Sequence, residues 1–254
     1  MIKLFPKTAC ITKKTKLLAF SLCALLFCTV TQAEMTSESL LKPYQAKYRI
    51  TQNNLSADAS RKLAKVGPHW RLSQTASKWF ITIGEESLIE VTENQNLRPL
   101  QYRYENSLSS KRDQRIVFDW EANKASDETY RKPYTLPLKE DYSDQLSAQL
   151  QLRQQLLNGQ AQDRRWQQTI VKNGKIKTYQ IEKLTEETID TELGPIDTVK
   201  LRRKREGSSA ETFIWLAKEW NYMIVKLVQT EDDDSLSLEL ISATIDGSPM
   251  RAAR

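Results

Sequence analysis

Residues 34–254 contain no cysteine, because Cys10, Cys23 and Cys28 all fall within the first 33 positions. That stretch forms no disulfide, offers no thiolate nucleophile and builds no cysteine metal site. Histidine is nearly as scarce: His69, directly after Gly67-Pro68, is the sole imidazole. Zinc centres of the usual nitrogen and sulfur kind are therefore disfavoured, and His69 reads as an exposed turn residue. A Ser-His-Asp relay through His69 would also lack a G-x-S-x-G elbow to present its serine. The seven glycines include no phosphate-cradling loop of the P-loop or dinucleotide type, so no cofactor is expected.

An excess of positive charge is also missing once the amino terminus is set apart. Lys3, Lys7, Lys13, Lys14 and Lys16 precede an apolar run from Leu17 to Val30, followed by Thr31-Gln32-Ala33. Basic segment, short greasy core and small-residue exit spell a signal peptide over residues 1–33, cleaved after Ala33. The run is shorter than the ~20 apolar residues that span a bilayer, so no stable transmembrane anchor is expected after cleavage. Lipid attachment needs a small residue before its cysteine, whereas Leu22 precedes Cys23 and Phe27 precedes Cys28. Taking the five leader lysines from 38 basic residues leaves 33 against 32 acidic, a net charge of +1. Polyanion-binding proteins keep a strong basic excess, so no nucleic-acid partner is expected. A disulfide-free exported chain of this size points to the periplasm.

What is present is alternation. PYQAKYRI (Pro43 to Ile50) sets Tyr44, Ala46, Tyr48 and Ile50 against Gln45, Lys47 and Arg49, the period of a half-buried strand. Leu55 to Val66 and Trp70 to Ile83 read as long strands around Gly67-Pro68, and Ser87 to Glu93, Leu100 to Glu105 and Arg112 to Trp120 continue the series. Asn173-Gly174 stands between two alternating runs, a hairpin signal because both residues tolerate positive φ. Strands return at 187–193, 196–204, 210–217, 222–230 and 235–245. The interruption is a helix around Asp144 to Asn158, with Leu146, Leu150, Leu157 and Ala148, Leu152, Leu156 at helical spacing. Ser143 is placed to cap its start and Gly159 to provide a left-handed exit. Residues 34–246 thus read as one β-rich domain, largely an antiparallel meander, and 247–254 as a frayed tail.

The densest basic run, Arg202 to Arg205, closes a strand in which Val199 and Leu201 face one way and Lys200 and Arg202 the other. It reads as a solvated hairpin tip, with anionic lipid or cell-wall groups as the alternative contact. Thr212 to Leu216 (TFIWL) is apolar on both faces, and Met223, Val225 and Leu227 oppose Ile224, Lys226 and Val228. Strands of this kind need cover on both sides: the helix, another part of the sheet, or a bound apolar ligand. On the last reading Phe213, Trp215, Met223, Val225, Leu227 and Trp120 line an apolar ligand cavity. Carboxylates remain open to hydrolase chemistry, with Asp119 and Glu85-Glu86 as candidates, but sequence alone does not set their separation. Asp232-Asp233-Asp234 lacks the spaced pattern of a calcium loop and reads as a turn.

PYQAKYRI, LRPLQYRYE (Leu97 to Glu105), VFDW (Val117 to Trp120), DQLSAQLQLRQQL (Asp144 to Leu156), LGPIDTVKL (Leu193 to Leu201) and WLAKEWNYMIVKLVQ (Trp215 to Gln229) together resemble domain-of-unknown-function family 3108, a group of exported bacterial proteins. Ile224 departs from the proline expected there. The resemblance implies an envelope location and a curved antiparallel sheet, a half-barrel or open barrel resembling lipoprotein carriers, and assigns no residue a role. The expectation is a non-enzymatic periplasmic binding protein holding a lipid-like or other apolar ligand. The alternatives are an envelope scaffold with a protein or cell-wall partner, and then a carboxylate-dependent hydrolase.

Overall fold

The computed structural model describes residues 41–53, 55–79, 81–129, 131–159 and 164–252; the expected signal peptide lies outside them. Eight strands come first: β1 (Tyr44–Gln52), β2 (Leu55–Val66), β3 (His69–Lys78), β4 (Ile81–Val91), β5 (Leu97–Asn106), β6 (Gln114–Asp119), β7 (Lys124–Asp127) and β8 (Tyr134–Pro137). A short β9 (Tyr142–Ser143) leads into helix α1 (Ser147–Leu157). The chain continues through β10 (Arg165–Lys172), β11 (Lys175–Thr191), β12 (Gly194–Lys204), β13 (Glu211–Ala217), β14 (Met223–Glu231), β15 (Asp234–Ile245) and β16 (Ser248–Pro249). All belong to one sheet, in the order β8-β7-β6-β5-β4-β3-β2-β1-β15-β14-β13-β12-β11-β10-β9, with β16 on β15. Only β9 and β10 run parallel.

The two end strands of that order, β8 and β9, are neighbours in the chain, separated by residues 138–141 alone. An extended chain covers at most ~3.5 Å per residue, so so short a link obliges the two edges to approach. The sheet therefore curls nearly into a barrel, while no ladder joins β8 to β9. Across the opening, the Asn173 N–H in the β10–β11 turn donates to Gln114 Oε1 at 2.9 Å, and the Tyr134 ring lies against Gly174. Gly174 has φ +65, and a Cβ there would stand 3.1 Å from that ring, which makes glycine the fitting residue.

Inside the curl sits α1. Leu146, Ala148, Leu150, Leu152 and Leu156 are buried with Tyr44, Tyr48, Leu63, Leu72, Ile116, Leu201 and Leu216 from the sheet. Polar ties fix the helix as well: Gln151 Nε2 donates to Leu97 O at 3.0 Å, and Gln168 Nε2 to Ala148 O at 2.7 Å. The capping residue is Asp144 rather than Ser143. Asp144 Oδ1 accepts from the Leu146 and Ser147 N–H groups at 2.7 and 2.9 Å, and the Asp144 N–H donates to Ser147 Oγ at 2.9 Å. This reciprocal arrangement is a capping box. Ser143 Oγ instead donates to Thr169 O where β9 meets β10.

Three local readings change. The strand read as Trp70 to Ile83 is cut by a tight turn pairing Lys78 with Ile81, in which Trp79 takes φ +54. A tryptophan in that conformation gives no turn signal, so periodicity ran through it. The tail is tied down: Ser248–Pro249 pair with β15, and the Ala252 N–H donates to Leu193 O at 3.3 Å. His69 opens β3 opposite Val66 and is half-buried.

Candidate functional site

The two-faced strands β13 and β14 are covered by the protein itself. Register places Ile214 opposite Leu201 and Leu227, on the inner face with α1, and Trp215 opposite Lys200 and Lys226, on the outer face. The far end of the β11–β12 hairpin folds over that outer face. Trp215 Nε1 donates to Glu187 Oε1 at 2.6 Å, Glu192 pairs with Arg49 of β1 at 2.7 Å, and Ile189 and Glu192 share a cleft of about 320 Å³ with Val225 and Ile241. A bulge between Trp215 and Leu216 shifts the register past Val225.

The six residues read as one apolar cavity are thereby dispersed. Phe213 and Trp215 share the outer face, their rings 6.4 Å apart under the Lys200 ammonium. Met223 and Val225 are buried, and Leu227 belongs to the inner face. Trp120 follows β6 in the other half of the sheet, stacked on Phe118 under the Arg98 guanidinium, with Nε1 donating to Pro99 O at 2.8 Å.

The acids have local duties. Asp119 Oδ1 accepts from the Ala122 N–H, Glu85 accepts from Tyr102 Oη at 2.9 Å, and Glu86 pairs with Arg71. Asp232 takes φ +52 in the β14–β15 turn. Among the described residues no three His, Cys, Asp or Glu side chains are grouped to hold a metal ion. Asp144 is fully buried and its carboxyl is pushed up to about 6 by desolvation, against the opposing pull of hydrogen bonds from Ser87 and Ser147. Arg153, equally deep, donates through Nε to Asn221 O at 2.9 Å and lies 5.6 Å from the Tyr44 ring centroid.

One group is different. At the end of the sheet where the β10–β11, β12–β13 and β14–β15 turns lie, the inner face holds a cleft of about 190 Å³. Lys172, Lys177, Arg203 and Arg205 line it together with Tyr179 and Glu231. Register explains the convergence, because Arg203 pairs with Ile181 and Thr212, and Lys177 with Ile170, all on the face that carries Leu201. Arg203 lies deep among protein atoms while part of its surface stays open to the cleft. Its guanidinium stacks on Tyr179 at 5.0 Å, and Nη2 reaches Thr212 Oγ1 only at 3.5 Å. Nε is sealed from solvent and has no acceptor. Burial lowers the Arg203 pKa, and burial followed by repulsion from Lys177 and Arg203 lowers that of Lys172, with Glu85 acting the other way. Arg203 and Arg205 thus turn into a cleft instead of ending in water as a solvated tip. The signal available in the sequence was parity: Arg203 shares the face of Val199 and Leu201.

No helix among the described residues is long and apolar enough to cross a membrane. Among curated proteins none matches this sequence. Of solved structures, a β-barrel-like protein of domain of unknown function DUF1849 from Brucella abortus is similar at 11% identity and a TM-score of 0.53, over 81% of this chain and 98% of that one. The likeness is one of fold, mainly β with a large curved, unclosed sheet. The MucA/MucB complex of Pseudomonas aeruginosa also matches, at 10% identity and a TM-score of 0.35, over 84% of this chain and 56% of that one. The DUF3108 model, described as a protein of unknown function, matches residues 44–241, and the chain belongs to that family.

Proposed function

We propose that this chain acts after export, in the periplasm, as a non-catalytic binding protein whose ligand enters the polar end of the curled sheet. The observation that carries the reading is Arg203, a deep cation at the wall of a cleft that meets no carboxylate among the described residues and reaches Thr212 Oγ1 only at 3.5 Å. A deep cation without an anion beside it is unfavourable, and an anionic ligand on its open side offsets that cost. A lipid chain lying in the lumen is the less favoured form of the same idea, because the leucines of α1 already fill that space. Partner binding by strand addition has little to work with, since the terminal strands β8 and β9 are four and two residues long.

The test is native mass spectrometry of the protein purified from the periplasm, with extraction of whatever accompanies it. The expected result is a stoichiometric adduct of defined mass that leaves at high salt. A bare polypeptide mass, together with no binding in a screen of envelope extracts, overturns the reading.

A further inference from the structure

Resting on that reading, we propose that the cleft formed by Lys172, Lys177, Arg203 and Arg205 is a binding site for a phosphoryl group, with Arg203 at its base. Among the described residues none of these four side chains forms an ion pair. The acids that face the site are Glu231 in its wall and Glu85, whose charge acts on Lys172. Glu85 is already engaged by Tyr102. Four cations against these two acids leave an excess that a dianion matches better than a single carboxylate. The Tyr179 ring lies beside the guanidinium carbon, and Nη2, whose contact with Thr212 Oγ1 is long, remains to donate to a phosphate oxygen. Thr212 and Ser208 add hydroxyls to the lining.

The helix points the same way. Gln145, just ahead of α1, lines the cleft, so the positive end of the helix dipole faces it. Asp144 occupies the cap itself, and for that reason the side-chain cations carry the argument.

The phosphoryl group can belong to a soluble ester or to a lipid headgroup. Three of the exposed large apolar residues lie at this same end of the sheet: Leu55 (66% exposed), which opens β2, and Trp79 (87%) and Leu108 (64%), which sit on turns. The strand directions place them there, since the β1–β2, β3–β4 and β5–β6 connections all lie at the end that carries the β14–β15 turn. Apolar turn tips beside a cationic cleft are the arrangement a membrane surface would meet, so a vesicle measurement separates the two sources.

The experiment follows the arginine Nε–Hε resonances of the protein by NMR as inorganic phosphate is added, with chloride at matched ionic strength as control. The expected result is a saturable shift of the Arg203 and Arg205 signals with phosphate alone, and an affinity, read from Arg205 in the variants, about 10- to 100-fold weaker in Arg203→Gln and reduced in Lys172→Gln, the loss of one charge-assisted contact. Arg202→Gln, on the other face, leaves it unchanged. Sedimentation with phosphatidylglycerol and phosphatidylcholine vesicles forms the second arm. Recruitment to the anionic vesicles that weakens in Arg203→Gln and Trp79→Ser supports the site with a lipid source, and phosphate binding without recruitment supports it with a soluble one. An Arg203 signal that phosphate and vesicles leave unmoved, or that chloride moves equally, overturns the proposal. If an unrelated ligand is then found in the native mass, only the phosphoryl assignment falls; if none is found, the binding-protein reading falls with it.

Discussion

Arg202 and Arg203 are adjacent in the chain and opposite in circumstance. Arg202, on the outer face, meets Glu182 at 2.5 Å and Glu211 at 3.5 Å, and with Arg165 it holds the Glu182 carboxyl below its ordinary range. Other charges on the outer face are paired in the same way. Lys200 meets Glu187 at 3.5 Å, and Lys226 meets Glu239 at 3.1 Å. Arg203, one residue on, has an aromatic face, a distant hydroxyl and no carboxylate. The same sheet thus satisfies its charges where they are wet and leaves one open where it is deep. Stability alone favours the reverse, because exposed pairs contribute little and a buried cation without a partner is unfavourable. An arrangement of that kind is expected where a ligand completes the electrostatics.

The largest effect that sharpens the comparison lies in packing. On β13, Leu216 is fully buried on the inner face while Phe213 is half-buried on the outer one. Leu216→Ala should lower unfolding free energy by about 2–5 kcal/mol, through lost burial and the cavity left behind. Phe213→Ala should cost about 1–2 kcal/mol, since its ring keeps solvent contact. Urea unfolding of both variants checks this, and equal losses would mean that the β11–β12 arm seals the outer face as tightly as α1 seals the inner.

The second effect concerns the other deep charge. Asp144 differs from Arg203 in being fully supplied with donors: Ser87 Oγ at 2.6 Å and the Leu146 and Ser147 N–H groups. Burial nevertheless raises its pKa from 3.8 to about 6. The folded state then binds the proton more tightly than the unfolded chain. The stabilising contribution is fully present below about pH 4 and is lost as pH rises through about 6, a fall of roughly 2–3 kcal/mol. Asp144→Asn keeps the acceptor for the helix N–H groups and removes the charge, so the stability difference, parent minus variant, should fall between pH 4 and 7 while the depressed carboxyls Glu182, Glu186 and Glu187 contribute equally to both. Parallel slopes would place the titration elsewhere.

How far the sequence led follows from these residues. Alternation in PYQAKYRI and in Ile196 to Lys204 was enough to place strands, faces and the antiparallel order, and the leucine spacing marked α1. The hidden part was closure. Nothing local in residues 138–141 says that the strands they join are the two ends of a sheet, and only that fact places α1 in the lumen. With the lumen regarded as open, Phe213, Trp215 and Leu227 looked like one lining, although their parity already divided them. Arg203 failed for the opposite reason. Its parity with Val199 and Leu201 is visible in the sequence, but a basic run beside a turn points to water, because tertiary enclosure by β10 and β14 leaves no trace in the run itself.

The smallest effect tests the comparison most directly, because its sign matters more than its size. Arg203→Met keeps the stem that packs beside Tyr179 and removes a charge for which the fold has no acid; Arg202→Met removes a charge that Glu182 and Glu211 already satisfy. In a chloride buffer Arg203→Met should raise unfolding free energy by about 1 kcal/mol, discounted for the surface it keeps open to the cleft, while Arg202→Met should lower it by about 0–1 kcal/mol. Inorganic phosphate at ten times its dissociation constant stabilises only a protein that binds it, by about 1.4 kcal/mol, so the parent should overtake Arg203→Met there. Arg202→Met, its cleft intact, should gain the same increment as the parent. Should Arg203→Met prove less stable than the parent in both buffers, the guanidinium is a structural brace between Tyr179 and Thr212, and the two arginines differ in depth alone.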